Sequence, residues 1–275
     1  METVSGMSGL QDGDINKEKE KEAARAKAEA AAQAEAKILF EKKYDCPVCA
    51  SAFTSKAVRS GKTRLLGTDV DLRARYEGID MNKYDVVMCP KCGFAALSRY
   101  FPDLTKTQAE LIREKLIKTI KVPVYNDPIY TYPEARKRYT LALASAMVKR
   151  AKASEIAYIC LKSGWLARSC RESLLEDMTG TPEQIAELEK QEDEYMSKAY
   201  KGFIDARQTE EYPICGMDEP TLDYLLAALA VRYNEFDVAS RLVASVISSS
   251  MASPRIKDKA RDLKEEILAG LKKNE

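Results

Sequence analysis

The chain has 275 residues, with 44 Lys plus Arg against 43 Asp plus Glu, a net charge of +1, seven cysteines and no histidine. A chain this long can bury roughly three quarters of its unfolded surface in one or two domains without help from a metal, and its balanced charge supplies no global field toward nucleic acid or an anionic membrane. The missing histidine removes Ser-His-Asp and Cys-His catalysis, HExxH metalloprotease chemistry and imidazole proton shuttling, so an enzyme would have to rely on carboxylates, Lys, Tyr or Cys alone, and the expectation is that the protein is not an enzyme.

The opening METVSGMSGLQDGD has neither a basic start nor an apolar stretch, and the longest apolar run, Tyr224 to Val231, is too short to span a bilayer. The expected location is the cytoplasm, with no membrane partner. In that reducing compartment seven cysteines do not form a disulfide framework. Residues 15–43, INKEKEKEAARAKAEAAAQAEAKILFEKK, are strong helix formers, and alanine is their only apolar content between the first residue and Ile38. Without a heptad of large apolar residues this is a solvated stretch and not a coiled coil. Residues 1–43 therefore read as a charged helical or disordered arm, and deleting residues 1–40 is expected to leave stability unchanged.

Residues 44–102 read as a small zinc-ribbon-like β module. Cys46-Pro47-Val48-Cys49 and Cys89-Pro90-Lys91-Cys92 are two matching CxxC pairs, and Tyr84, Val86, Val87 and Met88 lead into CPKCG like a strand entering a metal knuckle. Gly93 supplies the backbone freedom of the tight turn. Cys46, Cys49, Cys89 and Cys92 are expected to bind one structural Zn2+ per chain, in a closed shell of four sulfurs that leaves no position for water or substrate. A thioredoxin-like redox pair is the competing reading, but it needs a βαβ context that is absent here. About forty residues separate the pairs, against a common spacing of about 15–20, so the intervening chain must fold as an excursion. Within it Arg59, Lys62, Arg64, Arg73 and Arg75 form a recognition surface on one reading. On the other they pair with Asp69, Asp71, Glu77 and Asp80. Nine basic and six acidic residues from Tyr44 to Tyr100 leave a net +3, thin for binding dominated by phosphates.

Residues 103–275 read as an all-α domain of helical hairpins, making the chain mostly α. Thr105 with Gln108, and Thr181 with Pro182 and Gln184, have capping-box spacing. Ile185, Leu188, Met196, Ala199, Tyr200, Phe203 and Ile204 trace one long amphipathic face, and further helices are expected near 133–151, 154–177, 220–233, 236–250 and 255–272. Leu226, Ala227, Asn234, Phe236 and Ala239 have the spacing of a tetratricopeptide unit, with Asn234 where glycine is usual. Trp165 and Cys160 read as core, Cys170 and Cys215 have no CxxC partner, and Glu187 to Glu194 reads as a solvated helix face.

Arg64-Leu65-Leu66, Asp69-Val70-Asp71, Arg73, the run Arg75 to Asp80, Tyr84 to Val87 and Cys89 to Ala95 together resemble a bacterial family of uncharacterised proteins, domain of unknown function 2225. The resemblance runs from about Tyr44 to residue 250 and implies a zinc-ribbon-like head and a tetratricopeptide-like tail, with no established activity. The leading expectation is a zinc-binding adaptor whose helical body takes a protein or peptide partner. The alternative is a nucleic-acid-binding zinc ribbon with a regulatory or dimerisation tail, and a weaker third is a thiol-dependent redox sensor.

Overall fold

Three short hairpins and a stack of paired helices account for the chain in the computed structural model, which describes residue 26 and residues 28–274 apart from 119, 124 and 126. The expectation for residues 1–25 lies outside the described residues. Helix α1, over 28–37, runs into β1 (Leu39–Asp45), which pairs antiparallel with β2 (Ala52–Val58) in the register Leu39 to Val58 and Asp45 to Ala52. The excursion folds as the hairpin β3 (Leu65–Thr68) and β4 (Ala74–Tyr76), with a bulge between Leu65 and Gly67, followed by a 3-10 turn at Met81–Tyr84 capped by Asp80. A third hairpin joins β5 (Val86–Met88) to β6 (Ala95–Leu97).

Strand alternation gives the third hairpin two buried faces. Val86, Met88, Ala95 and Leu97 pack with Ala135, Tyr139 and Ala142 of the third helix, whereas Val87 and Ala96 face the four cysteines. The β5–β6 pair thus packs on the cysteines with one face and on the third helix with the other.

The helices are α2 (Lys106–Ile112), extended by a π turn over Arg113–Ile117, α3 (Tyr132–Val148), α4 (Ala153–Glu176), α5 (Pro182–Thr209), α6 (Glu219–Arg232), α7 (Phe236–Ser248) and α8 (Pro254–Asn274). Both capping boxes form: the hydroxyls of Thr105 and Thr181 accept from the N–H groups of Gln108 and Gln184, whose side chains accept in return. The fold is mostly α. Helices α4 and α5 fold back on each other through small residues, because a Cβ on Gly164 would lie 2.8 Å from Met196 Cε and one on Gly202 would lie 2.9 Å from Ala157 Cβ. The main core then runs from α4 to α8 through Trp165, Phe203, Leu225, Val243 and Ile267. Trp165 and Cys160 are buried as expected, while Ile204 turns toward solvent at the edge of its helix face.

The arm is less detached than its composition suggests. Its described helix is largely exposed, yet Glu35 is buried, 2.6 Å from Lys83 Nζ, and accepts a 2.7 Å hydrogen bond from Tyr84 Oη. Leu39, also within the span expected to be dispensable, is a buried residue of β1. A Glu35→Ala variant should lose about 3 kcal/mol, because the nearly buried Lys83 ammonium is left without its counterion. Chemical denaturation measures the difference, and an unchanged midpoint would return the arm to the status of an appendage.

Candidate metal centre

Each CxxC occupies the turn of a hairpin, and the two turns share one backbone pattern. Cys46 N–H donates to Ser51 O (3.0 Å) and Ala50 N–H to Cys46 O (2.9 Å); Cys89 N–H donates to Phe94 O and Gly93 N–H to Cys89 O, both at 2.9 Å. The fifth residue of each turn is left-handed, Ala50 at φ 56° and Gly93 at φ 76°. Glycine is needed at the second turn on two counts, since a Cβ there would also stand 3.0 Å from Ile120 Cγ2. At the first turn an alanine bears the strain. Ala50→Gly should therefore stabilise the protein by about 0.5–1 kcal/mol, the left-handed penalty of a Cβ less the extra chain entropy of glycine. A lower denaturation midpoint would show that the Ala50 methyl contributes packing of greater weight.

The hairpin tips bring all four expected cysteines together, their sulfurs within 4.8 Å of one another. Across the two motifs Cys46 Sγ lies 3.6 Å from Cys92 Sγ, and Cys49 Sγ 3.7 Å from Cys89 Sγ. A regular tetrahedron of metal–sulfur bonds of about 2.3 Å has edges of about 3.8 Å, so these separations already fit one central ion. Cys46, Cys89 and Cys92 are buried, Cys49 half-buried. Val48, Phe94, Phe101, Ile112 and Leu116 enclose them, Phe94 and Phe101 with ring centroids 5.1 Å apart. Arg113 Nε donates to Val48 O at 2.6 Å, which ties the end of α2 to the first knuckle.

The thiols are hydrogen-bonded to one another across the two motifs. Hydrogen bonding, chiefly from Cys46, pulls Cys89 down to about 2, while the bond to Cys89 is the largest influence pushing Cys46 up to about 12. Among the described residues no other group of three or more Cys, Asp or Glu side chains gathers its ligand atoms this closely. Cys160 is buried and pushed up to about 11 by that burial, and Cys215 Sγ lies 3.2 Å from Ser154 O.

An ionic lattice binds the β3–β4 hairpin to the helices. Arg73, 2% exposed, donates to Asp69 Oδ2 (2.6 Å), Ser169 Oγ (2.8 Å) and both Glu172 oxygens (2.8 and 2.9 Å). Arg75 reaches Asp69 (2.5 Å) and Glu172 (3.1 Å). Arg168 of α4 holds Asp71 (2.6 Å), Asp69 (3.1 Å) and Glu192 (3.0 Å), and Glu192 also takes Arg171 (3.1 Å) and Arg232 (2.8 Å). Burial works against the Asp69 charge, but Arg75 and Arg73 hold its carboxyl below the usual range. Of the two readings of the basic excursion, Arg73 and Arg75 follow the paired one, with Asp69 as partner; Asp71 pairs with α4 instead, and Asp80 caps the 3-10 turn. The acidic run on α5 is mostly exposed, except that Glu192 turns inward at 3% exposure, against the expectation of a wholly solvated face.

Fold and site together define a mostly helical protein with a four-cysteine centre at the tips of two hairpins. The chain belongs to the bacterial family described as "Uncharacterized protein conserved in bacteria (DUF2225)", whose model matches residues 39–267, beginning at the first residue of β1. An uncharacterized protein of Borreliella burgdorferi is 26% identical over 104 residues. That alignment takes in 35% of this chain and 37% of that protein, so the chain matches a little over a third of this curated relative. No solved structure matches the chain. Among the described residues no helix is long and apolar enough to cross a membrane.

Proposed function

We propose that Cys46, Cys49, Cys89 and Cys92 hold one structural zinc ion, and that the protein is a non-enzymatic, cytoplasmic adaptor whose helical body binds a protein or peptide. The observation that carries the metal assignment is the set of four sulfurs within 4.8 Å of one another in an apolar enclosure, a donor set suited to zinc and closed to substrate. Thiolate ligation suits a reducing compartment. The helical reading rests on the α6–α7 pair, where Ala227 and Ala239 are fully buried and Asn234 takes the left-handed conformation at φ 58° between the helices. Small residues at the crossing and a left-handed turn residue between the helices support the reading of a tetratricopeptide-like unit.

The engagement of Arg73 and Arg75 with Asp69 and Glu172 favours the adaptor over the nucleic-acid reading, because it leaves Arg59, Lys62 and Arg64 as the basic residues of the excursion clear of carboxylates. Phosphate contacts release counterions, so log K falls by roughly 0.9 per contact for each tenfold rise in salt. The full-length protein titrated with duplex DNA and structured RNA over a salt series should bind weakly, without sequence preference and with a shallow slope. Nanomolar, sequence-selective binding at physiological salt, lost on changing Arg59, Lys62 and Arg64 to Ala, would replace the adaptor with a nucleic-acid-binding protein.

A further inference from the structure

The tip of the β3–β4 hairpin, residues 69–73, lies on one face of the helical stack and is held there by side chains from every second helix. Arg168 of α4 donates to Asp71 (2.6 and 3.2 Å) and Asp69 (3.1 Å), and Tyr224 of α6 donates to the Val70 carbonyl (2.9 Å). Arg255 and Lys259 of α8 reach Thr68 Oγ1 and the Thr68 carbonyl, both at 3.4 Å. Leu72 packs against the α4–α8 core. Beside the tip the face stays open as a cleft of about 480 Å3, walled by Ala228, Leu229, Val231 and Arg232 of α6 and Glu266 of α8.

Helices α4, α6 and α8 are the first members of successive pairs, and in arrays of helical hairpins one such set lines the concave face that takes a partner. Here a piece of the chain's own excursion fills that face. The piece is built to separate from the body. Its strands β3 and β4 form a two-stranded sheet hydrogen-bonded to neither of the other hairpins, and an isolated hairpin is marginally stable at best. Leu65, Leu66 and Val70 are exposed, which leaves Leu72 as the apolar anchor. Leu72 is also left-handed at φ 68°, a strain that a residue with a Cβ keeps only while its surroundings impose it.

We propose that this face is a docking groove for an acidic segment of a partner protein, and that the hairpin tip occupies it as an internal stand-in which the partner displaces. The tip defines the chemistry. Two carboxylates flanking an apolar residue meet Arg168, the main-chain carbonyl between them takes the Tyr224 hydroxyl, and a following apolar side chain enters the edge of the core. A tethered tip has an effective concentration in the millimolar range, so the groove is closed to weak competitors and opens to a partner that repeats its contacts. The inference rests on the adaptor reading and gives its helical surface a ligand class.

Full-length, metal-loaded protein is titrated into a fluorescein-labelled peptide of residues 64–76 and read by fluorescence anisotropy. Asp69→Asn combined with Asp71→Asn weakens the tip and leaves the groove untouched, since Arg168 retains Glu192 and both Arg73 and Arg75 retain Glu172. This double variant should bind the peptide at least about tenfold more tightly than the parent does. Adding Tyr224→Phe should weaken the peptide by about fivefold, the effect of one hydrogen bond. A peptide with both aspartates replaced by asparagine should bind at least about tenfold more weakly, because its contacts to Arg168 are no longer charge-assisted. If the melt shows the double variant unfolded, Asp71→Asn alone serves, because Asp69 then keeps Arg73 and Arg75. Equal affinities for parent and variant, no binding to either up to about 1 mM, or a peptide indifferent to its aspartates would overturn the proposal. Those outcomes remove the groove and leave the adaptor another face, whereas sequence-selective nucleic-acid binding removes the adaptor itself.

Discussion

Replacing Cys89 by serine should unfold the three hairpins together with α3 while leaving α4 to α8 folded. Structural zinc in small thiolate sites contributes on the order of 10 kcal/mol, comparable with the whole stability of a typical domain, and serine does not replace a buried thiolate ligand. The extent of the collapse follows from the packing. Val87 and Ala96 face the cysteines while Val86, Met88, Ala95 and Leu97 face α3, so loss of a metal held by those cysteines would undermine both sides of the β5–β6 hairpin. The α4–α8 core draws its buried residues from the helices and from the connections at Ile214 and Ala252, and has no strand residue among them. Hydrogen exchange is the suitable readout: protection should vanish over residues 39–148 and persist in α5, α6 and α7. Full protection of the hairpins in the serine variant would show that the sulfurs contribute little to the fold.

The second large effect is expected at Arg168. Its guanidinium bridges Asp69 and Asp71 of the excursion to Glu192 of α5, with side-chain exposures of 15% for Arg168 and 17%, 10% and 3% for those partners. Arg168→Met keeps the aliphatic packing but leaves Asp71 without a counterion. Removing one partner of a buried ion pair costs about 3–5 kcal/mol, and the lower end applies here because Glu192 retains Arg171 and Arg232, both of which reach water. For a chain of this size, a loss of about 3 kcal/mol corresponds to a drop in Tm of roughly 6–12 °C. Arg168→Lys should fall between the two, since an ammonium keeps the charge but lacks the fork that spans Asp71 and Glu192. A methionine variant as stable as the parent would mean that the lattice fixes orientation without contributing net stability.

Features that depend on a few neighbouring residues were legible from the sequence. A capping box is complete within four positions, so Thr105 and Thr181 could be placed as helix starts, and two matching CxxC pairs single out the four cysteines that the fold brings together. Helices α3 to α8 begin within a residue or two of the positions their apolar periodicity indicates. The lattice was not legible, because Arg168 lies 97 positions from Asp71 and Arg73 lies 99 from Glu172. Spacing offered one hint, since Arg168, Arg171 and Glu172 share a face of α4. Composition also misled at two places. Glu35 sits in an alanine-rich run that looks solvated, yet Lys83 and Tyr84 enclose its carboxylate. Glu192 lies among exposed acids, yet three arginines from two helices draw it inward.

The central claim is a four-thiolate zinc centre, and the direct measurement is elemental analysis of the purified full-length protein combined with X-ray absorption at the metal edge. The account predicts one zinc per chain and a first shell of four sulfurs at about 2.3 Å, with metal released on chelation or acidification as the thiolates protonate. A protein that lacks bound metal yet keeps native hydrogen-exchange protection in its hairpins, or a shell containing nitrogen or oxygen donors, would contradict it.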